Sequence, residues 1–267
     1  KLDESGRLWS PGVRAGVKPN SEYHLTEYFG PILGVMTAKT LEEAIELQNA
    51  TDYGLTAGLH SLDSGELKLW LSKVQAGNLY VNRGITGAIV QRQPFGGWKK
   101  STVGSGTKAG GPNYLTALTD WESKESQSTA SPTSVAVREV IGAVREPSSV
   151  DQSELEFLLR SASSDSLAWN SEFGIGHDPS QLGVERNILR YVPQAVQVRA
   201  DSDASTHSVV RVLLAGLAAG APVYLSTAKP LPVAASGALE NHGVKITVES
   251  DAEYRQWLSK QAQRDVR

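Results

Sequence analysis

The chain has 267 residues, no cysteine and a formal net charge of −3, with 40% hydrophobic and 21% charged residues. This composition is typical of a folded globular protein with one or two domains, and it argues against wholesale disorder. The small acidic excess disfavours nucleic acid and anionic membranes as partners. The lack of cysteine excludes disulfides, thiolate metal sites and cysteine nucleophiles, and makes a cytoplasmic location the default expectation.

The first part of the chain, residues 22–121, alternates strand-like and helix-like segments. The apolar run 32–36 predicts a buried strand, and Thr40 with Glu43 forms a capping box that predicts a helix over 41–47. The other elements expected here are strands at 57–60 and 78–82 and an amphipathic helix at 65–74. Strands separated by helices indicate an α/β fold.

Residues 122–134 consist almost entirely of Ser, Thr, Glu, Lys and Gln with one Pro, which is typical of a linker. Beyond it, a helix is expected at about 152–161, and the rest of 135–190 shows no clear period. The last part predicts strands at 195–198, 223–225 and 244–248 and helices at 205–219, 231–241 and 251–263. Three such units in series predict a Rossmann-like domain with parallel strands over 135–267, after a first domain over 1–121.

No stretch has the roughly 20 apolar residues that a bilayer span needs, so no membrane insertion is expected. The five histidines show no metal-ligand spacing; they are His24, His60, His177, His207 and His242. This spacing predicts no metal site, and no residue of the chain is assigned a catalytic role.

Two short motifs of this sequence carry a family resemblance. Glu27-Tyr28-Phe29-Gly30-Pro31 places a carboxylate and an aromatic ring at a turn. Pro94-Phe95-Gly96-Gly97, followed by Lys99, Ser101 and Gly104, is a close-turning segment with an aromatic wall. Both motifs, in this order and spacing, resemble those of the aldehyde dehydrogenase superfamily. The resemblance implies that Glu27 binds the nicotinamide ribose of NAD and that Phe29 packs on the nicotinamide.

A longer resemblance narrows the substrate. Residues 78–97 and 108–115 are similar to the L-glutamate γ-semialdehyde (1-pyrroline-5-carboxylate) dehydrogenases, which include the proline utilization A proteins. This longer resemblance implies that the backbone N–H groups of Gly87 and Ala88 anchor the α-carboxylate of the semialdehyde. It also implies that Phe95 stacks on the aliphatic chain of the semialdehyde. Some relatives have Ser at the position of Ala88, so here the amides alone would anchor the substrate.

The resemblance also defines the expected architecture: the C-terminal half of an aldehyde dehydrogenase catalytic domain, plus a Rossmann-like α/β C-terminal domain that is noncatalytic. In that family the nucleophilic cysteine precedes the Glu-x-Phe-Gly-Pro motif, and no cysteine precedes Glu27 here. The chain is therefore expected to be a fragment, inactive alone, of an NAD-dependent enzyme of proline catabolism. FAD is expected only if a proline dehydrogenase domain is fused upstream. A homo-oligomer is the expected assembly.

Two alternatives stay open. A noncatalytic structural or oligomerisation module with a degenerate dehydrogenase-like fold would also lack cysteine. A free-standing small-ligand binder would require NAD binding by this chain alone. The C-terminal domain offers little for a dinucleotide, because Asp201-Ser202-Asp203 follows its first strand where a glycine fingerprint would stand.

Overall fold

The computed structural model describes residues 1–90, 92–102, 107–122, 132–145 and 150–265. The chain divides into two compact units. Unit 1 contains Lys1–Trp121 and Asp178–Asn187, and unit 2 contains Glu122–His177 and Ile188–Arg267. The expected domain bounds at 1–121 and 135–267 remain a prediction, and most of the expected linker, residues 123–131, lies outside the described residues. Within the second expected domain, one short segment groups with unit 1.

Unit 1 is built from short elements. They are β1 (Gly12–Ala15), α1 (Glu22–Leu25), β2 (Ile32–Val35), α2 (Leu41–Asn49), β3 (Tyr53–Gly54), β4 (Thr56–Leu59), α3 (Ser64–Lys73), β5 (Asn78–Val81) and β6 (Trp98–Lys99). A 3₁₀ turn covers Tyr114–Leu118. Strands β1 and β2 pair in parallel, as do β4 and β5, whereas β3 and β6 are antiparallel. The predicted strands and helices of this region are confirmed to within a few residues, whereas β1, α1 and the two-residue strands β3 and β6 were not predicted.

The core of unit 1 lies between α2, α3 and the β4–β5 pair. Its buried residues are Ile45, Ala57, Trp70, Val74 and Ala76. The indole N–H of Trp70 donates to the side-chain oxygen of Gln48 at 2.9 Å, so the buried ring keeps its polar atom satisfied. This small core fixes β5, the strand that leads into the predicted substrate loop.

The β1–β2 pair is exposed. Val13 is 70% exposed and Leu33 is 59% exposed, although both side chains are apolar. The prediction of a buried strand over 32–36 is thus right for the strand and wrong for its burial. Among the described residues of unit 1, this pair gains no third strand, so its apolar side chains stay open to solvent.

The N-terminus of α2 differs in one detail from the prediction. The Thr40 hydroxyl accepts from the Glu43 N–H at 3.2 Å, as expected for an N-cap. The Glu43 carboxylate accepts from the Lys39 N–H at 2.6 Å instead of returning to Thr40. Thr40 is therefore confirmed as the cap, and only half of the predicted capping box is present.

Unit 2 has longer helices. Its elements are α4 (Val135–Arg145), α5 (Gln152–Ala168), β7 (Val196–Ala200), α6 (Thr206–Ala218), β8 (Val223–Thr227), α7 (Val233–Asn241), β9 (Lys245–Val248) and α8 (Asp251–Asp265). The three strands form one parallel sheet in the order β7-β8-β9, in which Val198, Leu225 and Ile246 are neighbours. This confirms the predicted parallel α/β arrangement.

Helices α4 and α5 complete the core of unit 2. The helix α4 was not predicted, although Val137, Val140, Ile141 and Val144 recur at helical spacing and are all buried. The helix α5 runs to Ala168, past the expected end near residue 161, and continues into a π-helical turn at Trp169–Phe173.

The apolar spacing of Val209, Val212, Leu213 and Leu217 predicts one buried face for α6, and this prediction needs one correction. Val209 and Leu213 are buried as expected, but Val212 is 49% exposed. Val210 and Leu214 are buried in its place, because the face that packs on α5 and the sheet is rotated from the one read off the sequence.

Candidate functional site

The predicted substrate loop, residues 83–90, follows β5. The strand ends at Val81, and the next residue, Asn82, has a φ of 56°, in the left-handed region that Asn tolerates better than most residues. The Asn82 amide exchanges two hydrogen bonds with the Ser61 backbone, at 2.9 and 2.8 Å. Further along, the Ile85 side chain packs closely against Gly58 of β4. The start of the loop is therefore tied to the end of the β4–β5 pair.

The peptide between Gly87 and Ala88 has a fixed orientation. The Tyr80 hydroxyl donates to the Gly87 carbonyl at 2.6 Å, and Tyr80 itself is only 3% exposed. Because the carbonyl and N–H of a trans peptide point in opposite directions, the Ala88 N–H points away from the Tyr80 ring. Gly87 has φ of +87°, and both loop residues are exposed. A buried tyrosine thus orients an exposed peptide donor.

Phe95 lies on a neighbouring segment. Its backbone exchanges two hydrogen bonds with Ala109, at 3.0 and 2.8 Å, and its ring is 38% exposed. The Val90 side chain packs about Gly110, and Pro94 packs against Gly111. The end of the substrate loop and Phe95 are therefore joined through residues 109–111.

The glycine turn after Phe95 packs directly on the chain before β5. A Cβ on Gly77 would overlap the Gly96 carbonyl oxygen, so Gly is required at position 77. The buried Asn78 side chain accepts from the Gly96 N–H at 3.3 Å and donates to the Pro94 carbonyl at 3.1 Å. These contacts set the position of Phe95.

The Lys108 side chain also hydrogen-bonds to the glycine turn and to the chain before β5. Its ammonium donates to the carbonyls of Gly77 and Gly96 at 2.7 and 2.6 Å and to Asn78 Oδ1 at 3.2 Å. Burial lowers the pKa of Lys108 from 10.5 to about 8. All three ammonium protons have acceptors, which makes Lys108 a structural clamp on the glycine turn.

Lys99 and Ser101, which follow the second motif, also have structural partners. The Lys99 ammonium donates to the carbonyls of Asn49 and Thr51, and burial lowers the pKa of Lys99. The Ser101 hydroxyl accepts from the Gly54 N–H at 3.1 Å. Gly104 of the same motif lies outside the described residues.

Glu27 and Phe29 lie on the connection between α1 and β2. Both are exposed, and the Phe29 ring is 97% exposed. Among the described residues, neither side chain makes a hydrogen bond or ring contact with the substrate loop. An open carboxylate beside an open aromatic ring fits a ribose diol and a flat nicotinamide, respectively. The structure thus joins the loop and Phe95 through shared contacts and places Glu27 and Phe29 on a separate segment.

Several residues that shape this site were not predicted. Tyr80, Asn78 and Lys108 support the loop and the glycine turn, but their partners lie 7 to 31 positions away in sequence. The alternation along β5 gave one available signal, because Asn78 and Tyr80 share its buried face. A cavity of about 480 Å³ in unit 1 is lined by other residues, including His24, Met36 and Gln75.

The described residues contain neither a metal-binding cluster nor a membrane-spanning helix. Within these ranges, no three His, Asp or Glu side chains are grouped so that they could hold a metal ion. None of the described helices is both long and apolar enough to cross a bilayer.

The comparisons with known proteins agree with the motifs. Residues 1–123 match the Aldehyde dehydrogenase family. Over 113 residues the chain is 44% identical to a 1-pyrroline-5-carboxylate dehydrogenase from Geobacillus sp. (strain WCH70), covering 42% of this chain and 22% of that protein. A protein of the same name from Bacillus subtilis (strain 168) is 40% identical over an equal length, covering 42% and 22%.

A solved structure extends the similarity beyond residue 123. Proline utilization A (PutA) from Corynebacterium freiburgense matches 94% of this chain at 41% identity, with a TM-score of 0.70. The match covers 26% of that chain, so the present chain spans about a quarter or less of the length of these relatives.

Proposed function

We propose that this chain, whose residues 1–123 match the Aldehyde dehydrogenase family, is the C-terminal part of an NAD-dependent L-glutamate γ-semialdehyde (1-pyrroline-5-carboxylate) dehydrogenase. The complete enzyme would convert the aldehyde, water and NAD⁺ to glutamate and NADH, with release of two protons. Relatives of that name, 40 to 44% identical over 113 residues, support this assignment. The single observation that carries it is the exposed Gly87–Ala88 peptide, oriented by Tyr80 and joined to Phe95.

The chemistry of this substrate suits the loop. Glutamate semialdehyde has a carboxylate at one end and an aldehyde at the other, joined by a short aliphatic chain. Within the part of the chain that the structure describes, the N–H groups of Gly87 and Ala88 donate to no protein acceptor. Two such donors can bind a carboxylate, as backbone nests do, and the half-exposed Phe95 ring offers an apolar surface to the aliphatic chain. The loop would thus bind the end of the substrate remote from the reaction.

The reacting groups are assigned to other parts of the complete protein. This chain has no cysteine, so the nucleophile that attacks the aldehyde would be supplied by sequence outside it. NAD supplies the hydride acceptor when bound. Glu27 would hold the nicotinamide ribose, and Phe29 would pack on the nicotinamide. The exposure of both side chains supports this role.

Unit 2 is proposed to be noncatalytic. The carboxyl end of a parallel sheet is where ligands bind in open α/β folds. Here Arg199 occupies that end, donating to the Ser226 hydroxyl and to Asp251 Oδ1, both at 2.6 Å. Ser226 in turn donates to the Glu249 carboxylate at 2.6 Å. An internally paired network of charged and polar side chains at this position supports a structural role.

The assembly is proposed to be a homo-oligomer. The exposed β1–β2 pair leaves apolar side chains open in this chain, among them Val13 and Leu33. Apolar surface of this kind indicates a region that is covered in the complete, assembled protein. Sequence upstream in the complete enzyme, or another subunit, would provide that cover.

The test uses two proteins, the product of the complete reading frame that contains Lys1 and the 267-residue chain itself. With glutamate semialdehyde and NAD⁺, the complete product is expected to form NADH, and the chain alone is expected to form none. A complete product that oxidises other aldehydes but not this one would contradict the substrate. NADH formation by the chain alone would contradict the assignment of the nucleophile.

A further inference from the structure

A ten-residue segment from the later part of the sequence, Asp178–Asn187, packs with unit 1. Its ends are held together by Asp178, whose carboxylate accepts from the N–H groups of Ser180, Gln181 and Asn187 at 3.1 to 3.2 Å. These hydrogen bonds and that of the Ser180 hydroxyl lower the pKa of Asp178. The segment is therefore a closed turn with its own internal support.

Glu185 of this turn contacts Arg83, at the start of the substrate loop, and Arg92, two residues beyond its end. One carboxylate oxygen accepts from the Arg83 guanidinium at 3.1 Å, and the other lies 3.9 Å from the Arg92 guanidinium. Arg83 comes four residues before Gly87, and Arg92 comes four residues after Ala88. A single carboxylate thus bridges the two sides of the loop that carries the exposed peptide.

Asn187 strengthens this bridge. Its side-chain amide donates to Glu185 Oε1 at 3.2 Å and to the Ser180 hydroxyl at 2.9 Å. Its oxygen accepts from the Gln93 amide at 3.3 Å. Asn187 is buried, at 8% exposure, so Glu185 is held by a fixed neighbour as well as by the arginines.

Arg83 also links Glu185 to the orienting tyrosine. The Arg83 guanidinium lies over the Tyr80 ring, 5.4 Å from its centroid. The same ring carries the hydroxyl that donates to the Gly87 carbonyl. The contacts therefore run without a break from Glu185 through Arg83 and Tyr80 to the Gly87–Ala88 peptide.

We propose that Glu185 is a positioning residue for aldehyde binding: by joining Arg83 and Arg92 it holds the Gly87–Ala88 loop in the conformation that receives the substrate carboxylate. This inference rests on the proposed function, because it assigns the loop its ligand. Its physical basis is entropic. A loop closed at both ends has fewer conformations to lose when the anion binds, so the same two N–H donors bind the carboxylate more tightly.

Loss of Glu185 would weaken substrate binding by a second route. Without Glu185, two arginines beside the loop would have no carboxylate partner in this turn. Each arginine would then be available to bind other anions, and these anions would compete with the substrate carboxylate. The opposite result is also measurable: if the freed arginines bound the substrate carboxylate themselves, affinity for the semialdehyde would increase, and the proposal would be wrong.

The first experiment measures the loop without any catalytic assay. Hydrogen exchange of the Asn82, Arg92 and Gln93 amides is followed by mass spectrometry in the 267-residue chain, in Glu185→Gln and in Arg186→Gln. These amides flank the exposed peptide and donate to the Leu59 and Ile89 carbonyls, so their exchange reports on how firmly the two ends of the loop are held. Arg186 is exposed and adjacent, so it is a matched control for a charge change in the same turn. Glu185→Gln is expected to speed exchange of these amides about threefold or more, whereas Arg186→Gln leaves it unchanged. Unchanged exchange in Glu185→Gln would overturn the proposal.

The second experiment uses the complete enzyme. Glu185→Gln is expected to raise KM for glutamate semialdehyde about threefold to fivefold, with kcat and KM for NAD unchanged. Glu185→Asp, which retains the charge, is expected to recover part of this loss. Arg83→Gln is expected to raise KM in the native background and to add less than about twofold to Glu185→Gln, because the two residues act through one contact.

The outcomes separate the two proposals. Faster exchange with an unchanged KM would show that Glu185 orders the loop without serving aldehyde binding, which overturns the positioning role. A uniform loss of stability and activity that Glu185→Asp does not recover would also overturn it. A complete enzyme with no activity on glutamate semialdehyde would contradict the proposed function, while the exchange experiment would still report on the loop.

Discussion

The hydroxyl of Tyr80 donates a 2.6 Å hydrogen bond to the carbonyl of Gly87, seven residues further along the chain. This bond joins a buried position of β5 to an exposed loop. It sets the direction in which the Ala88 N–H points, because the two groups belong to one peptide plane. The geometry of the proposed carboxylate anchor therefore depends on a side chain that does not itself touch solvent.

Tyr80→Phe should remove this bond and leave the ring in place. The free energy of unfolding is expected to fall by about 1 kcal/mol, the usual contribution of one hydrogen bond. In the complete enzyme, KM for glutamate semialdehyde should rise while KM for NAD stays constant. Tyr114→Phe, at a half-exposed ring outside the loop, is the control. Equal effects of the two substitutions would contradict an orienting role for Tyr80.

Gly77→Ala should be strongly destabilising. The added methyl would overlap the Gly96 carbonyl oxygen; the methyl is fixed to its Cα and the carbonyl belongs to the backbone, so neither can rotate away. We expect a loss of about 2 kcal/mol or more in urea unfolding followed by tryptophan fluorescence. Gly12→Ala, where a Cβ would meet nothing within 4 Å, should change stability little. A stable Gly77→Ala chain would show that the glycine turn is not packed as described.

Lys108 should give unit 1 a pH-dependent stability. Burial lowers the pKa of Lys108 to about 8 in the folded chain, against 10.5 when unfolded. Between these values the folded chain has released a proton that the unfolded chain still binds, so stability gains from this group as pH rises. The group contributes no such gain below pH 8.

The comparison with Lys108→Met isolates this effect, because Lys99 and other groups are common to both proteins. At pH 7 the variant should be less stable by about 1 kcal/mol, since the Gly77 and Gly96 carbonyls lose a donor. The stability of the native chain relative to Lys108→Met should then increase from pH 8 to pH 10 in urea unfolding. A relative decrease over that range would mean that the charged ammonium is favoured in the folded state.

Glu27→Ala should act on the cofactor. In the complete enzyme we expect a lower kcat and weaker NAD binding, because the nicotinamide ribose loses its carboxylate partner. The stability of the chain should be unchanged, since Glu27 is exposed. Glu22→Ala, on the neighbouring helix α1, serves as the control. Unchanged kinetics of Glu27→Ala would remove Glu27 from the cofactor site.

Much of the fold was predictable because the apolar spacing of most elements matches their final burial. The parallel units of the last 70 residues follow from strand and helix periods that do not conflict. Helix α4 was missed although its four buried residues have helical spacing, because its valines favour strands and its flanking sequence shows no period. Val212 was misplaced because α6 is apolar over more than one face.

The site was predictable only in part. The motifs identified Gly87, Ala88 and Phe95, but a motif does not show which other residues hold these three in place. The Tyr80, Lys108 and Glu185 contacts join residues between 7 and 102 positions apart, and such pairs follow from the fold rather than from local sequence. The exposure of β1 and β2 could not be predicted either, because a buried strand and an exposed strand have the same apolar pattern.

The most direct test of the central claim compares two glycines of the same loop. Both Gly84 and Gly87 are open to an added side chain, but only Gly87 has a positive φ, at +87°. In the complete enzyme, kcat/KM is measured for glutamate semialdehyde and for an aldehyde of equal length without the α-carboxylate. Gly87→Val should lower the preference for the semialdehyde at least about tenfold, and Gly84→Ala should preserve it. Loss of activity on both aldehydes by the same factor would contradict a carboxylate anchor at Gly87 and Ala88.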